Sequence, residues 1–436
     1  MPQSTAPTIK LYGLHDGQQQ VLREAKQHNV LVCGRRWRKT TLCQNIAVQD
    51  AIQGKTIVWG SPTNFQAKYV LDQTEKRLNG YGEINHTDKI IRFPSGGEIY
   101  FKGLEEYNNI RTMGVDGIIV DEAAFCAEEA FNDVLEPMIS DRGGYSWLIS
   151  TPNGMNWFYD AYKNALSQPD HAAWNAPLIG CEVTENGLIR KRHELERFED
   201  QYVNFEFMKR KFNSKPLNSF RAEYLAEFII NSGSVLVNVS DAVDKGRELP
   251  EEPKRDRSYI LGVDLGRFND YSVLTVLESE TNGKSRQVYL QRMQCTDWET
   301  QKQHIIRTAI RYNATIIIDS SGAGQAPYED LSRRCKMPVI GHTFSNTFKL
   351  KMIGRLQLSF EKRRLRLMDN TIQEKELLAY EYDRTPKGAI TMGAPKNKHD
   401  DIVNALALAN YHVFKRQSEP IRTENNPFYE NAFCGV

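Results

Sequence analysis

Two groups of acidic residues stand where metal-dependent phosphate chemistry needs carboxylates. Asp121 and Glu122 close the apolar run Gly117-Ile118-Ile119-Val120, about eighty residues beyond the triplet Lys39-Thr40-Thr41. A lysine with a hydroxyl, followed by an Asp-Glu pair at a strand end, is the side-chain set of a nucleotide-hydrolysing site. The aspartate would hold Mg2+ through water and the glutamate would orient the attacking water. The second group is Asp264, Asp319, Asp400 and Asp401, each at the end of an expected strand or the start of an expected helix. Two divalent ions about 4 Å apart can activate a water and stabilise a leaving oxygen in phosphodiester cleavage. Holding them requires converging carboxylates. Asp264, on a central first strand, is the natural bridge. Asp319 would complete one ion and an aspartate of the helix the other, with Asp270 following on the next loop. Residues 401 and 404 share one helix face, which favours Asp401 over Asp400.

The residues Cys33-Gly34-Arg35-Arg36-Trp37-Arg38-Lys39-Thr40 lie between an expected strand and an expected helix, the place of a phosphate-binding loop. Lys39 and Thr40 match the pattern GxxxxGK[ST]. Cys33 and Arg38 occupy the two glycine positions, where a side chain hinders close phosphate approach. Leu148-Ile149-Ser150-Thr151-Pro152-Asn153-Gly154 puts two hydroxyls, Ser150 and Thr151, at another strand end, suited to sensing a γ-phosphate. Upstream, Gln18 begins a run of three glutamines in position to read adenine.

The elements that must carry these residues alternate. In the first half, helices are expected at 18–27, 40–53 and 65–78, and strands at 29–33, 56–59, 117–121 and 145–150. A hairpin is expected around Pro94-Ser95-Gly96-Gly97. This is an α/β pattern with a doubly wound sheet. Residues 184–230 read as helical and highly charged, and 250–257 as linker. From residue 258, three strands (259–264, 271–278 and 287–293, with a turn at 281–283) precede a helix at 298–311 and a strand at 315–319. Helix and strand then alternate to His412, the order of an RNase H-like fold.

Composition bounds the function. Hydrophobic residues at 40% and charged residues at 25% of 436 fit two or three folded domains. A net charge of +1 gives no global attraction to nucleic acid, so binding must come from local patches. Basic residues do cluster at 190–192, 209–211, 333–334 and 362–364. Seven scattered cysteines without a CxxC pair argue against structural zinc or a disulfide framework and fit a reducing cytosol. The first ten residues lack an apolar signal core, and no apolar stretch reaches the roughly 20 residues of a membrane span.

The loop from Cys33 to Thr41, the segment Gly117-Ile118-Ile119-Val120-Asp121-Glu122-Ala123 and Ile149-Ser150-Thr151-Pro152-Asn153-Gly154 resemble the ATPase motifs of large terminase subunits, the DNA-packaging motors of tailed bacteriophages. Glu223-Tyr224-Leu225-Ala226-Glu227-Phe228 resembles the end of that ATPase region. The second acidic set resembles the family's RNase H-like nuclease domain, whose third ligand falls in His399-Asp400-Asp401. Asn404 stands where some relatives carry another aspartate. The resemblance spans about 18–414. It implies a P-loop ATPase core at 1–183, a helical lid at 184–232, a linker at 233–257, a nuclease at 258–415 and a mobile tail at 416–436. It implies ATP and Mg2+ bound by Gly34, Arg36, Lys39, Thr40, Thr41 and Asp121, with Glu122 catalytic. It also implies a nuclease centre using Mg2+ or Mn2+. The implied function is ATP-driven translocation of double-stranded DNA into a procapsid and cutting of concatemers. A portal protein, a small terminase subunit and a homo-oligomeric ring would be the partners, in the host cytoplasm and transiently at the procapsid, with no membrane role. Rival readings are a repair or recombination nuclease with a degenerate ATPase domain and a non-catalytic packaging adaptor.

Overall fold

The computed structural model describes residues 9, 11–110, 114–229, 234–266, 271–280, 284–294, 297–384, 390–395 and 398–418. Asp270, the turn at 281–283 and the segment beyond 418 lie outside the described residues. The chain forms two compact units, residues 1–231 with 386–389, and residues 232–385 with 390–436.

In the first unit, strands β1 (His28–Cys33), β2 (Thr56–Ser61), β3 (Glu83–Asn85), β4 (Ile90–Arg92), β5 (Glu98–Gly103), β6 (Gly117–Asp121), β7 (Tyr145–Ser150) and β8 (His171–Ala176) make one sheet. Its order is β3-β4-β5-β2-β6-β7-β1-β8. The strands from β5 to β8 pair in parallel, and β3 and β4 add an antiparallel edge. Helices α1 (Asp16–Glu24), α2 (Lys39–Ile52), α3 (Asn64–Leu78), α4 (Glu136–Ser140) and α5 (Trp157–Ala165) complete the layers. Alternate strand residues point to opposite faces. Leu31, Ile57, Ile119 and Trp147 therefore pack with Leu42 and Leu71 on one side. Val32, Val58, Val120 and Leu148 pack with Leu135 and Phe158 on the other. Burial on both faces explains why β6 reads as an uninterrupted apolar run.

Residues 184–230 depart from the helical expectation. They open with a hairpin of β9 (Cys181–Thr184) and β10 (Gly187–Arg190), continue irregularly, and become helical only at α6 (Phe205–Ser214) and α7 (Leu217–Leu225). The turn's exit is Gly187 at φ +118°, a conformation costly for other residues. The flanking charges hide the short apolar alternation of Val183, Leu188 and Ile189.

The second unit has strands β11 (Ser258–Asp264), β12 (Tyr271–Ser279), β13 (Ser285–Gln294), β14 (Thr315–Asp319), β15 (Val339–His342) and β16 (Leu365–Arg366), in the order β15-β14-β11-β12-β13-β16. Strands β11 to β13 are antiparallel, and β14 and β15 continue the sheet parallel to β11. A small hairpin of β17 (Glu381–Arg384) and β18 (Ile390–Gly393) stands apart from this sheet. The helices are α8 (Val239–Ala242), α9 (Trp298–Tyr312), α10 (Gln325–Arg334), α11 (Asn346–Glu361), α12 (Thr371–Ala379) and α13 (Asp401–Ser418).

The first part of the expected linker contributes to the core rather than serving as a tether. Val235, Leu236, Val239 and Val243 are buried with Met352, Leu377 and Leu406, and Val235 N–H donates to Tyr380 O at 2.8 Å. The polar residues between them masked this in the sequence.

The first ten residues of α13 are all buried. The helix lies directly on β11 because residue 262 is glycine: a Cβ there would stand 2.1 Å from Ala405 O. Asp264, two residues along, shares the Gly262 face of β11 and so meets the start of α13.

Candidate active sites

In the first unit the site residues sit at the carboxyl ends of parallel strands, where loops leave the sheet and ligands bind in this architecture. Strand β7 lies between β1 and β6, pairing Val32 with Ser150 and Asp121 with Ile149. The loop after β1, the Asp121-Glu122 pair and Ser150 are therefore neighbours. Lys39 Nζ donates to Glu122 Oε1 at 2.8 Å, and Thr40 Oγ1 to Asp121 Oδ2 at 2.9 Å. Burial would lower the Lys39 pKa, but Glu122, Cys33 and Asp121 together hold it above its usual value. Burial raises the Asp121 carboxyl to about 6, against the opposing pull of Lys39. Asp121 Oδ1 is buried without a hydrogen-bond partner. An acceptor oxygen left over beside a threonine hydroxyl suits a hard cation.

Ser150 Oγ lies 2.8 Å from Thr151 O and 3.3 Å from Glu122 Oε2, so its single proton serves one acceptor at a time. Thr151 is buried beside it, and Thr41 follows Thr40 in the first turn of α2. Glu122 has φ +55°, and Arg36 and Arg38 each φ +70°. Left-handed backbone at a non-glycine residue costs about 1–2 kcal/mol. Cys33, at the other missing glycine position, ends β1 without a left-handed backbone. Gly34 is required by a close approach: a Cβ would stand 2.6 Å from Tyr224 O and 2.8 Å from Leu178 N. Arg36 is exposed, its guanidinium 5.6 Å from the centre of the Phe207 ring.

Gln18 is not placed as expected. It is fully buried, its Nε2 donates to Arg38 O at 2.8 Å, and its Oε1 accepts from His15 N–H at 3.1 Å. Both ends of the amide are occupied by protein, so it supports the loop instead of facing a base. Arg197, whose Nη1 donates to Arg36 O at 3.1 Å, also supports the loop; it comes from the irregular segment before α6 and left no signal in the sequence.

In the second unit, β11 and β14 run in parallel and pair Val263 with Ile318, so Asp264 and Asp319 leave the sheet side by side. Asp264 is pushed well above its usual pKa by burial and then by Asp401, with Asp400 and Asp319 adding to the shift and the Asn404 side chain opposing it. These four groups thus lie close enough to one carboxyl to act on its charge. Asp401 is buried and Asp264 half-buried. Asp400 precedes the helix, its carbonyl accepting from Asn404 N–H at 2.9 Å, and its carboxylate faces Lys349 Nζ at 3.3 Å. Asn404 Oδ1 is buried without a partner. It is a second spare oxygen beside acidic groups, where a divalent cation fits. The set is open: among the described residues, the trio whose ligand atoms lie within 4.8 Å of one another is Asp72, Glu75 and His86 on the surface of the first unit.

Supporting groups invisible in the sequence hold this arrangement. Ser321 N–H donates to Asp319 Oδ1 at 2.8 Å, and the Ser321 hydroxyl donates to the same oxygen. Glu376 of α12 accepts from Ile402 N–H at 3.1 Å, pinning the start of α13, and faces Arg292 Nη2 at 2.9 Å. Several residues of the basic clusters are paired with acids: Arg190 with Glu196 and Glu199, Lys209 with Glu206, Arg334 with Asp330 and Arg363 with Asp241.

Residues 39–238 match a family model described as the N-terminal part of the terminase large subunit, T4-like virus type, and residues 261–412 match one described as the terminase RNase H-like domain. The chain belongs to the large terminase subunit family. Among its relatives, the terminase large subunit of Thermus virus P23-45 is 29% identical over 348 residues, covering 75% of this chain and 68% of that one. That of Escherichia phage T5 is 28% identical over 228 residues, covering 50% and 46%. The large terminase of a thermophilic bacteriophage, solved in complex with ADP, superposes with a TM-score of 0.56 at 16% identity, covering 93% of this chain and all of that one. This terminase has the expected α/β architecture, an ATPase-type domain followed by an RNase H-like nuclease domain. The first family match begins at Lys39, so residues 33–38, where two glycines are absent, precede it. Among the described residues, no helix is long and apolar enough to cross a membrane.

Proposed function

We propose that this terminase hydrolyses ATP in its first unit to drive double-stranded DNA into a procapsid and cleaves concatemeric DNA in its second. The observation that carries the reading is the pairing, in one chain, of Lys39 and Thr40 with Glu122 and Asp121 and of Asp264 with Asp319, Asp400 and Asp401. In the first unit, Lys39 leaves Glu122 for the phosphates, with Gly34, Arg36 and Thr41 lining the loop. Glu122, so released, orients a water and accepts its proton. Thr40 and Asp121 would hold Mg2+, which supplies charge neutralisation on the phosphate oxygens. Ser150 and Thr151 sit between loop and glutamate, suited to register the γ-phosphate.

In the second unit, Asp264, Asp319 and Asp401, with Asp400 and Asn404 beside them, would hold Mg2+ or Mn2+. The bound ions supply Lewis acidity and lower the pKa of water. The protein's part is to fix these oxygens: Ser321 orients Asp319, and Glu376 anchors the helix end carrying Asp401. Asp270 is a further ligand in this proposal. The implied partners are a portal protein, a small terminase subunit and further copies of the chain in a ring, at the procapsid in the host cytoplasm. Contacts to DNA phosphates would dominate its grip and weaken with salt.

Two variants of the full chain test the reading. Lys39→Ala should abolish ATPase activity and leave Mn2+-supported plasmid cleavage, and Asp401→Asn should do the reverse. A chain whose cleavage survives Asp401→Asn does not use this metal site. One that hydrolyses no ATP even as Arg38→Gly is instead a nuclease with a degenerate ATPase domain, the alternative that Arg38 favours.

A further inference from the structure

We infer that His15, Gln18 and Arg197 are positioning residues that give the phosphate-binding loop the shape its missing glycine would otherwise permit. The inference rests on the nucleotide reading above. Three consecutive loop carbonyls each meet a different side chain. Arg197 Nη1 donates to Arg36 O at 3.1 Å, His15 Nε2 to Trp37 O at 3.0 Å and Gln18 Nε2 to Arg38 O at 2.8 Å. Within a trans peptide the carbonyl and the following N–H point in opposite directions. Carbonyls drawn toward these side chains therefore turn the amides of Arg38 and Lys39 the other way, where a phosphate can take them. The Trp37 amide is already used, donating to Gly34 O at 3.1 Å.

The ties sit where the backbone is strained, since Arg36 and Arg38 are the two left-handed residues they flank. Trp37 between them is fully buried and its Nε1 donates to Leu195 O at 2.6 Å, two residues from Arg197. The brace is itself interlocked. His15 Nδ1 accepts from Gln18 N–H at 3.4 Å while Gln18 Oε1 accepts from His15 N–H at 3.1 Å, a capping box at the start of α1. These partners assign His15 the neutral tautomer with its proton on Nε2. Burial, then Arg197 and Arg38, lowers its pKa and keeps it neutral.

The test is binding of a fluorescent ATP analogue and its GTP counterpart to the full chain, for the unaltered protein, Gln18→Met, Arg197→Lys and each combined with Arg38→Gly. Loss of one tie should weaken both nucleotides alike by about tenfold, the worth of one hydrogen bond. Arg38→Gly should restore most of that loss, because glycine takes the left-handed conformation unaided. Loss of ATP but not GTP binding would overturn the inference, since Gln18 would then read the base. An equal loss that Arg38→Gly does not restore, or no loss at all, would overturn it as well. An unaltered chain that binds neither nucleotide would overturn the underlying site, and the brace with it. Arg197 is ion-paired with Asp200, and lysine keeps that charge, so Arg197→Lys gives the answer if Gln18→Met fails to fold.

Discussion

The separation of β11 from α13 sets the nuclease centre, and Gly262→Ala measures it. The new methyl would stand 2.1 Å from Ala405 O and 3.0 Å from Ala409 Cβ. The glycine's backbone is not left-handed, so the steric effect stands alone. Reaching ordinary van der Waals contact requires α13 to retreat by about 1 Å, at an overpacking cost of roughly 1–3 kcal/mol. Ala405 is one turn from Asp401 and adjacent to Asn404, so these groups retreat from Asp264 with it. A misplacement of about 1 Å can cost about 100-fold in rate. Mn2+-supported plasmid cleavage should therefore fall about 100-fold, while ATP hydrolysis by the same preparation stays unchanged. Cleavage at the unaltered rate by folded Gly262→Ala would refute the claim that this close approach positions the carboxylates.

Glu122→Gln should retain ATP binding but lose about 100- to 10,000-fold in kcat, read by single-turnover hydrolysis, because the amide cannot accept the water's proton. Asp264→Asn should raise the metal-free melting temperature by a few degrees, since it removes one of several converging charges, and should shrink the further rise on adding Mn2+. Calorimetry with and without EDTA reads both effects. His28, whose ring centre is 4.7 Å from that of His171, has its pKa lowered by burial and then by His171. Its contribution to stability is fully present above its unfolded pKa of about 6.5 and is lost as pH falls through the lower folded value. His28→Gln should therefore flatten the acid side of the stability–pH curve measured by urea unfolding.

The sites were legible where chemistry and secondary structure coincide in a short stretch. Gly117 to Glu122 announced both a buried parallel strand and its carboxylates. Asp264 stands at the end of an expected strand, but the close approach of α13 at Gly262 was not legible, because that helix lies about 140 residues downstream. The misreadings share a physical cause. Gln18 stands upstream of the loop where a reader of adenine is expected, but its amide is consumed by Arg38 O and His15 N–H, partners set by tertiary packing. Residues 184–204 carry too many charges for their short hairpin to stand out. Val235, Val239 and Val243 join a core assembled from helices more than a hundred residues downstream, so their burial has no local periodicity to reveal it.

The 2.8 Å contact between Lys39 and Glu122 has a consequence for economy of fuel. In the proposed site, Glu122 is held by the cation that incoming phosphates would claim. Loading would free the acceptor in the same event, so the engine would not be primed before its charge is seated, and stray water would meet a carboxylate already paired with Lys39.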